Sequence, residues 1–436
     1  MTNASIVYLL VEESNREFEA RALIAVVAAA RGHRAVICPQ WRFWENVGSF
    51  VPGVVLFKGN NGVQLHNMRR AKAHGHAIAS IEEESFGVMN EREIVRLYHR
   101  DIATACDLAL AQSPFHATCV QNAIAGMSGR VAVVGNPRAD LLRAPFDDGI
   151  RAAGRELRAR HGSYVLLNSN YGNINPPQGD TLTMFNRYAR AALVDPNDPD
   201  DVDDFFTWCH WEWGNSRELI ATAVALRKSL PELHVIFRPH PAESSKRWAE
   251  ILTKIDGLDV ILDGGHLPWI SGAEVLVHAG CTTGMEAAVM GVPAICLTPG
   301  ENRWHGMNTA SIANPTARTA SKALDLIHSH IKSGGRRLHD RMAECDYAYF
   351  LEIDSNRTSA DRIVDTLQGI MKPPVSSSAL SLIDGQKHLT KWQETKYSIA
   401  FEEARSTIGR LARNLDIDRQ INLHDLRGGT IVLAPT

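Results

Sequence analysis

The residues with the clearest chemical potential lie in Val275–Pro293, VLVHAGCTTGMEAAVMGVP. An apolar run ending at His278 reads as a buried strand. The small-residue loop Ala279, Gly280, Cys281, Thr282, Thr283 and Gly284 follows, and a helix starts near Met285. A helix N-terminus presents unpaired N–H groups and a partial positive charge. Glycine lets an anion approach the backbone, and two threonine hydroxyls add donors, so the set can cradle a phosphate. The plainer alternative is a strand–helix turn with threonine capping. The segment is neither a Walker A nor a GxGxxG loop.

A second constellation is Phe237-Arg238-Pro239-His240-Pro241, directly after an apolar strand. Two prolines stiffen the backbone around one imidazole. A protonated or N–H-donating histidine there can stabilise charge on a departing phosphate. A satisfied surface histidine is the alternative. A third is the acidic run Glu82-Glu83-Glu84-Ser85 after Ala77–Ile81. Adjacent carboxylates raise one another's pKa, which suits one of them to general-base work, whereas a solvated acidic turn is the commoner use of such residues. Asn168, Ser169, Asn170, Tyr171 and Gly172 form a polar loop after the strand Tyr164–Asn168. Ser14-Asn15-Arg16-Glu17 has capping-box spacing. The acidic stretch Asp195–Asp204 lacks the glycine and terminal glutamate of an EF-hand loop and reads as solvated. Trp208, Trp211 and Trp213 can stack on sugar rings or pack beneath a loop. No metal-ligand pattern is present.

These groups need a frame to hold them. Apolar strands alternate with helical patterns: Ser5–Val11, Ala35–Cys38, Pro52–Lys58, Ala77–Ile81, Leu108–Ala111 and Val131–Val134. An Arg-rich helical connector over Asp147–Arg160 follows. The pattern then restarts with Tyr164–Asn168, Val235–Arg238, Val260–Leu262, Val275–His278 and Ala294–Leu297. Strands of this kind indicate parallel sheets covered on both faces. The expectation is an α/β chain of GT-B type, with two Rossmann-like parallel-sheet domains facing across a cleft. They would span 1–150 on the acceptor side and 151–370 on the nucleotide-sugar side, with an insertion at 175–215. A helical tail at 371–436 has the first domain as a surface to pack back on, and carries an amphipathic helix near Thr390–Asn414 after Pro-Pro and Ser-rich turns.

Bulk composition fits this frame. The 436 residues carry a formal net charge of −3, with 44% hydrophobic and 22% charged residues. That is ordinary for a globular chain and gives a nucleic-acid partner no footing. Seven scattered cysteines without a C-x-x-C fit a reducing compartment. The longest apolar stretch falls far short of the roughly 20 residues of a membrane span. The expected location is the cytoplasm, with at most peripheral association at the inner face of the membrane.

In combination, VYLLVEESNREFEARALIAVVAAARGH, SIEEES, GNPRADLLR, VLLNSNYGNIN, FRPHP and HAGCTTGMEAAVMGVPAICL resemble the bacterial surface carbohydrate biosynthesis proteins. That group is similar to GT-B transferases with a His-Pro motif, such as sialyltransferases, Kdo transferases and teichoic-acid polymerases. The resemblance covers about residues 5–365 and implies roles. His240 would contact the donor phosphate, with Arg238 and Pro241 framing it. Thr282 and Thr283, between Gly280 and Gly284, would bind the same phosphate. Glu286 would accept a ribose hydroxyl, and Asn168 and Asn170 would line the nucleotide side. Glu83 and Glu84 match an acidic pair that supplies the base, although Ser85 stands where the pattern has glycine; Glu12, Glu13 and Glu19 are the next candidates. The implied function is metal-independent glycosyl transfer, with no cofactor beyond the nucleotide-sugar donor. A CMP-linked Kdo or nonulosonic acid would pass to a glycan, lipid-linked or protein acceptor. The alternatives are a CDP-polyol phosphotransferase, a UDP-sugar epimerase, or a non-catalytic nucleotide-binding component of a glycan assembly complex.

Overall fold

A computed structural model describes residues 4–191, 193–300, 307–354, 356–374, 389–418, 421–426 and 429–436. The chain divides into two compact units, Met1–Phe146 with Ala348–Thr436, and Asp147–Tyr347. The second unit therefore closes before residue 370. The helix Ser359–Leu367 belongs with the first, because its apolar face packs on the helix Ser14–Ala30.

The first unit is built on an eight-stranded sheet. Its strands are β1 (Ile6–Val11), β2 (Arg34–Pro39), β3 (Val54–Phe57), β4 (Ala77–Ile81), β5 (Leu108–Ala111) and β6 (Val131–Val133), joined by β13 (Ile421–Asp425) and β14 (Ile431–Pro435). The spatial order is β13-β14-β2-β1-β3-β4-β5-β6. The first six pair in parallel, whereas β13 and β14 form an antiparallel hairpin on the β2 edge. Val7, Leu9 and Val11 face one core, and Ile6, Tyr8 and Leu10 face the other. Burial on both faces explains the unbroken apolar runs. The tail is thus part sheet, where only helix was expected from the sequence. Its helical pattern over Thr390–Asn414 is also two helices, Lys391–Lys396 and Phe401–Asn414. The Ser-rich turns lie outside the described residues.

Helix Ser14–Ala30 is buried along nearly its whole length, apolar all round rather than amphipathic. Helices Ser359–Leu367 and Phe401–Asn414 cover the side that the sheet leaves open. Its N-terminus departs from the expected capping box. The N-cap is Glu13, with no side-chain cap. The Ser14 hydroxyl instead accepts from the Ser398 N–H and donates to the Lys396 carbonyl. The Glu17 carboxylate accepts the Glu12 N–H at 2.8 Å and meets Lys58.

The second unit holds a six-stranded parallel sheet of β7 (Tyr164–Asn168), β8 (His234–Arg238), β9 (Leu258–Val260), β10 (Val275–His278), β11 (Ala294–Leu297) and β12 (Thr316–Ala317), in the order β12-β11-β10-β7-β8-β9. The insertion at 175–215 is mostly helical. Thr181–Arg190 starts on an Asp180 capping box, and Pro199–Ser229 runs from within the acidic stretch past the end of the insertion. The acidic stretch serves that long helix: Asp198 caps it, and Asp200 and Asp201 in its first turn complement the dipole.

Candidate nucleotide-sugar site

In the second sheet the chain runs outward from β7 through β8 to β9, then returns to the other side of β7 with β10. The switch point therefore lies between β7 and β10, where open α/β sheets bind ligands at their carboxyl ends. The register brings three strand ends together: His278 pairs with Asn168, and Asn168 with Arg238. The Gly280 turn, the Asn168 loop and the His240 turn consequently leave the sheet side by side.

The Gly280 turn bends at φ +71°, and helix Thr282–Met290 starts after an N-cap Cys281 that gives no side-chain cap. Its Gly284 N–H bonds the Cys281 carbonyl at 3.1 Å, and a helix start leaves its remaining first-turn N–H groups without intrahelical acceptors. Thr282 and Thr283 are both half-buried in the first turn, and Thr283 Oγ1 lies 2.6 Å from Cys281 Sγ. Beneath the turn is the fully buried His278 ring. Its Nδ1 accepts the Gly280 N–H at 3.1 Å, and its Nε2 lies 3.2 Å from Asn314 Nδ2. Burial pushes His278 down to about 3, so it stays neutral. Gly284 packs directly on that ring and leaves no room for a Cβ.

His240 is exposed, and its Nδ1 accepts the Ala242 N–H at 3.1 Å. That bond assigns the neutral-form proton to Nε2, which becomes an outward donor. Desolvation, with His266 nearby, lowers its pKa. The turn is held from inside by Glu243, a buried carboxylate. It accepts from the His240 N–H (3.2 Å), the Tyr171 N–H (2.9 Å), the Ser169 hydroxyl (2.9 Å) and Trp248 Nε1 (2.5 Å). Glu243 thus ties the β7 and β8 loops into one piece. Sequence reading missed it, although it stands three residues after His240, where the only signal is proximity. Glu212, on the long helix, does the same for Asn173 and Ile174, and burial pushes its carboxyl up to about 8.

The remaining residues singled out from sequence fall into place around these. Asn168 is 5% exposed, and its Oδ1 has no partner, a buried acceptor at the switch point. Asn170 is half-buried and Pro241 exposed. Arg238 turns away from the loop edge. Its guanidinium donates to the carbonyls of Leu262, Asp263 and Gly264 and lies over the Trp269 ring. The Glu286 carboxylate is buried and meets His266 Nε2 at 2.8 Å, so it orients a second imidazole near His240. Of the tryptophans, Trp213 is 59% exposed.

In the first unit, the acidic run splits three ways. Glu83 is buried against Arg21 at 3.0 Å, with exposures of 4% and 1%. Glu84 is exposed and pairs with Arg16. Glu82, not singled out individually in the sequence, is 4% exposed and accepts from the Asn60 N–H, Asn60 Nδ2 and the Glu84 N–H. Burial pushes it up to about 7 against those bonds, which places a carboxyl near neutrality at the end of β4. Of the other acidic candidates, Glu12 pairs with Lys58 at 2.5 Å, Glu13 with Lys396 at 3.3 Å and Glu19 with Arg410. Among the described residues, no helix is long and apolar enough to cross a membrane.

No protein-family model and no curated protein matches the sequence. Solved structures do. The UDP-GlcNAc 2-epimerase of Neisseria meningitidis bound to UDP-GlcNAc aligns with a TM-score of 0.53 at 13% identity, over 84% of this chain and 99% of that one. A putative UDP-N-acetylglucosamine 2-epimerase from Listeria monocytogenes aligns at 0.55 and 11%, over 84% and 96%. The UDP-GlcNAc 2-epimerase of Methanocaldococcus jannaschii aligns at 0.51 and 13%, over 84% and 99%. At these identities the likeness establishes the fold, and the chain is an α/β protein of GT-B type.

Proposed function

We propose that this chain is a nucleotide-sugar enzyme whose second unit binds the nucleotide's phosphate between the Gly280–Gly284 turn and the His240 Nε2–H. The observation that carries this is the register of β8, β7 and β10, which sets both donors beside the orphaned Asn168 Oδ1 at the switch point. A UDP-sugar epimerase is the first reading, because the structures of like fold bear that name. Epimerisation at a ring carbon breaks and remakes a C–H bond and needs a group that gives and takes a proton near neutral pH. Transfer of a CMP-linked acidic sugar is the second reading. One imidazole donor and one helix N-terminus suit a single phosphate.

Titration calorimetry with UDP, UDP-GlcNAc, CDP and CMP tests the phosphate site, and His240→Ala and Thr282→Ala with Thr283→Ala should each weaken binding. Incubation with UDP-GlcNAc in deuterium oxide tests the reaction. Deuterium at the epimerised carbon supports epimerisation, and its absence despite tight UDP binding removes it. Acceptor-dependent release of CMP supports transfer. Nucleotide binding without turnover of any donor would leave a non-catalytic component of glycan assembly.

A further inference from the structure

The C-terminal segment has no role in the site above, yet one of its several attachments to the first unit lies at the carboxyl ends of the sheet. Helix Lys391–Lys396 lies by the carboxyl ends of β1 and β2: Lys396 Nζ meets Glu13 at 3.3 Å, and the Ser14 hydroxyl bonds Lys396 and Ser398. Trp392 precedes Lys396 by four residues and so shares its helix face. Its ring meets Trp41 at a centroid distance of 5.4 Å and 66°, and it is 57% exposed. Two indoles at that angle form an open corner. Beside it, at the switch between β1 and β3, stand Glu12 and Lys58, 2.5 Å apart. Gln40 completes the group. Its amide N–H side bonds the Glu12 carboxylate, while its Oε1 is buried with no partner, the residue being 2% exposed. A buried acceptor left unpaired is destabilising until a donor reaches it.

From this arrangement we infer that the tail completes a saccharide subsite: Trp41 and Trp392 stack on the C–H face of a pyranose, and Glu12, Gln40 and Lys58 take its hydroxyls. Aromatic faces match the apolar face of a sugar ring, and the polar set offers both acceptors and a cation to hydroxyls, which are donors and acceptors at once. A protein partner fits less well, because the apolar area is one exposed indole bordered by two ion pairs, far below a stable interface. The choice of a sugar as ligand class rests on the nucleotide-sugar reading, whereas the orphaned Gln40 and the indole corner stand without it.

The test uses the full chain, with tryptophan fluorescence and saturation-transfer NMR against maltotriose, chitotriose and 3′-sialyllactose, and UDP titrated in parallel. At least one saccharide should bind. Trp392→Ala should weaken it about tenfold, the scale of one lost aromatic contact, while Trp392→Tyr stays near the wild type. Gln40→Met should also weaken it, and Trp213→Ala, at an equally exposed tryptophan of the second unit, should not. UDP affinity should be unchanged throughout. Binding of UDP with no saccharide bound, or saccharide binding indifferent to Trp392→Ala, overturns the subsite and leaves the nucleotide reading intact. Saccharide binding without UDP binding does the reverse, and binding of neither removes both.

Discussion

Gly284→Ala is the sharpest probe of how the phosphate turn is held. A Cβ at this position would sit 2.7 Å from His278 Cδ2 and closer still to Nε2 and Cε1, where real Cβ atoms keep at least 3.0 Å. The ring has nowhere to retreat. It is fully buried, its Nδ1 is bound to the Gly280 N–H, and its Nε2 faces Asn314, which also donates to the Gly284 and Ala310 carbonyls. The helix start must therefore move, and Thr282 and Thr283 with it. Overpacking of this kind costs about 1–3 kcal/mol. In a unit of this size that is a fall of roughly 2–10 °C in melting temperature. Differential scanning fluorimetry reads the stability and calorimetry the UDP affinity, which should drop at least about tenfold as the donors shift. Gly291→Ala is the control, since its φ of +68° strains an alanine but no atom lies within 4 Å. It should lose about 1 kcal/mol and keep UDP affinity. A Gly284→Ala protein with wild-type melting and wild-type UDP affinity would refute the idea that His278 sets the turn.

Three further outcomes follow from buried carboxylates. Arg21→Met leaves Glu83 charged and buried, so urea unfolding should show a loss of about 3–5 kcal/mol, largely recovered in Arg21→Met with Glu83→Leu; an unchanged single variant would mean the pair is not buried in solution. Glu82 rises from 4.5 to about 7 on folding, so the folded chain holds the extra proton between those values and stability falls as pH rises through that window. Glu82→Gln should flatten this slope and gain about 1–3 kcal/mol on the wild type between pH 4.5 and 8, and parallel pH profiles would count against the shift. Glu243→Ala strands the donors of Ser169, Tyr171, His240 and Trp248, so it should lose about 3 kcal/mol and weaken UDP binding, whereas His240→Ala should weaken binding alone.

How far sequence alone reaches depends on what each residue answers to. Strands β4, β5, β7, β10 and β11 match their expected runs residue for residue, because a parallel strand buried on both faces is mostly apolar and so stands out from the loops beside it. The switch-point loops were legible for the same reason, since each follows such a run. The hairpin β13–β14 was not. Its outer strand, Ile421–Asp425, is only five residues long and mostly exposed at an edge, too short a pattern to announce a sheet. The acidic start of helix Pro199–Ser229 reads as a solvated loop until Asp198 is seen to cap it. Glu82 and Glu243 were beyond reach. Nothing in a sequence separates three neighbouring glutamates, whereas in space one meets Arg21, one Arg16 and one the backbone at Asn60.

The way the first unit is threaded has a consequence during synthesis. Ser14 and its partner Lys396 are 382 residues apart. At about 5–20 residues per second, a ribosome needs roughly 20–80 s to supply the second after the first. Throughout that interval helix Ser14–Ala30 has its sheet-facing side covered and its outer apolar side bare, because Ser359–Leu367 and Phe401–Asn414 have yet to emerge. The contiguous Asp147–Tyr347 can close first, and the unit begun earliest is finished last. A free chain truncated between residues 347 and 358 should therefore hold a folded second unit beside a first that still exposes apolar surface to chaperones, and covering that surface should await the final helices.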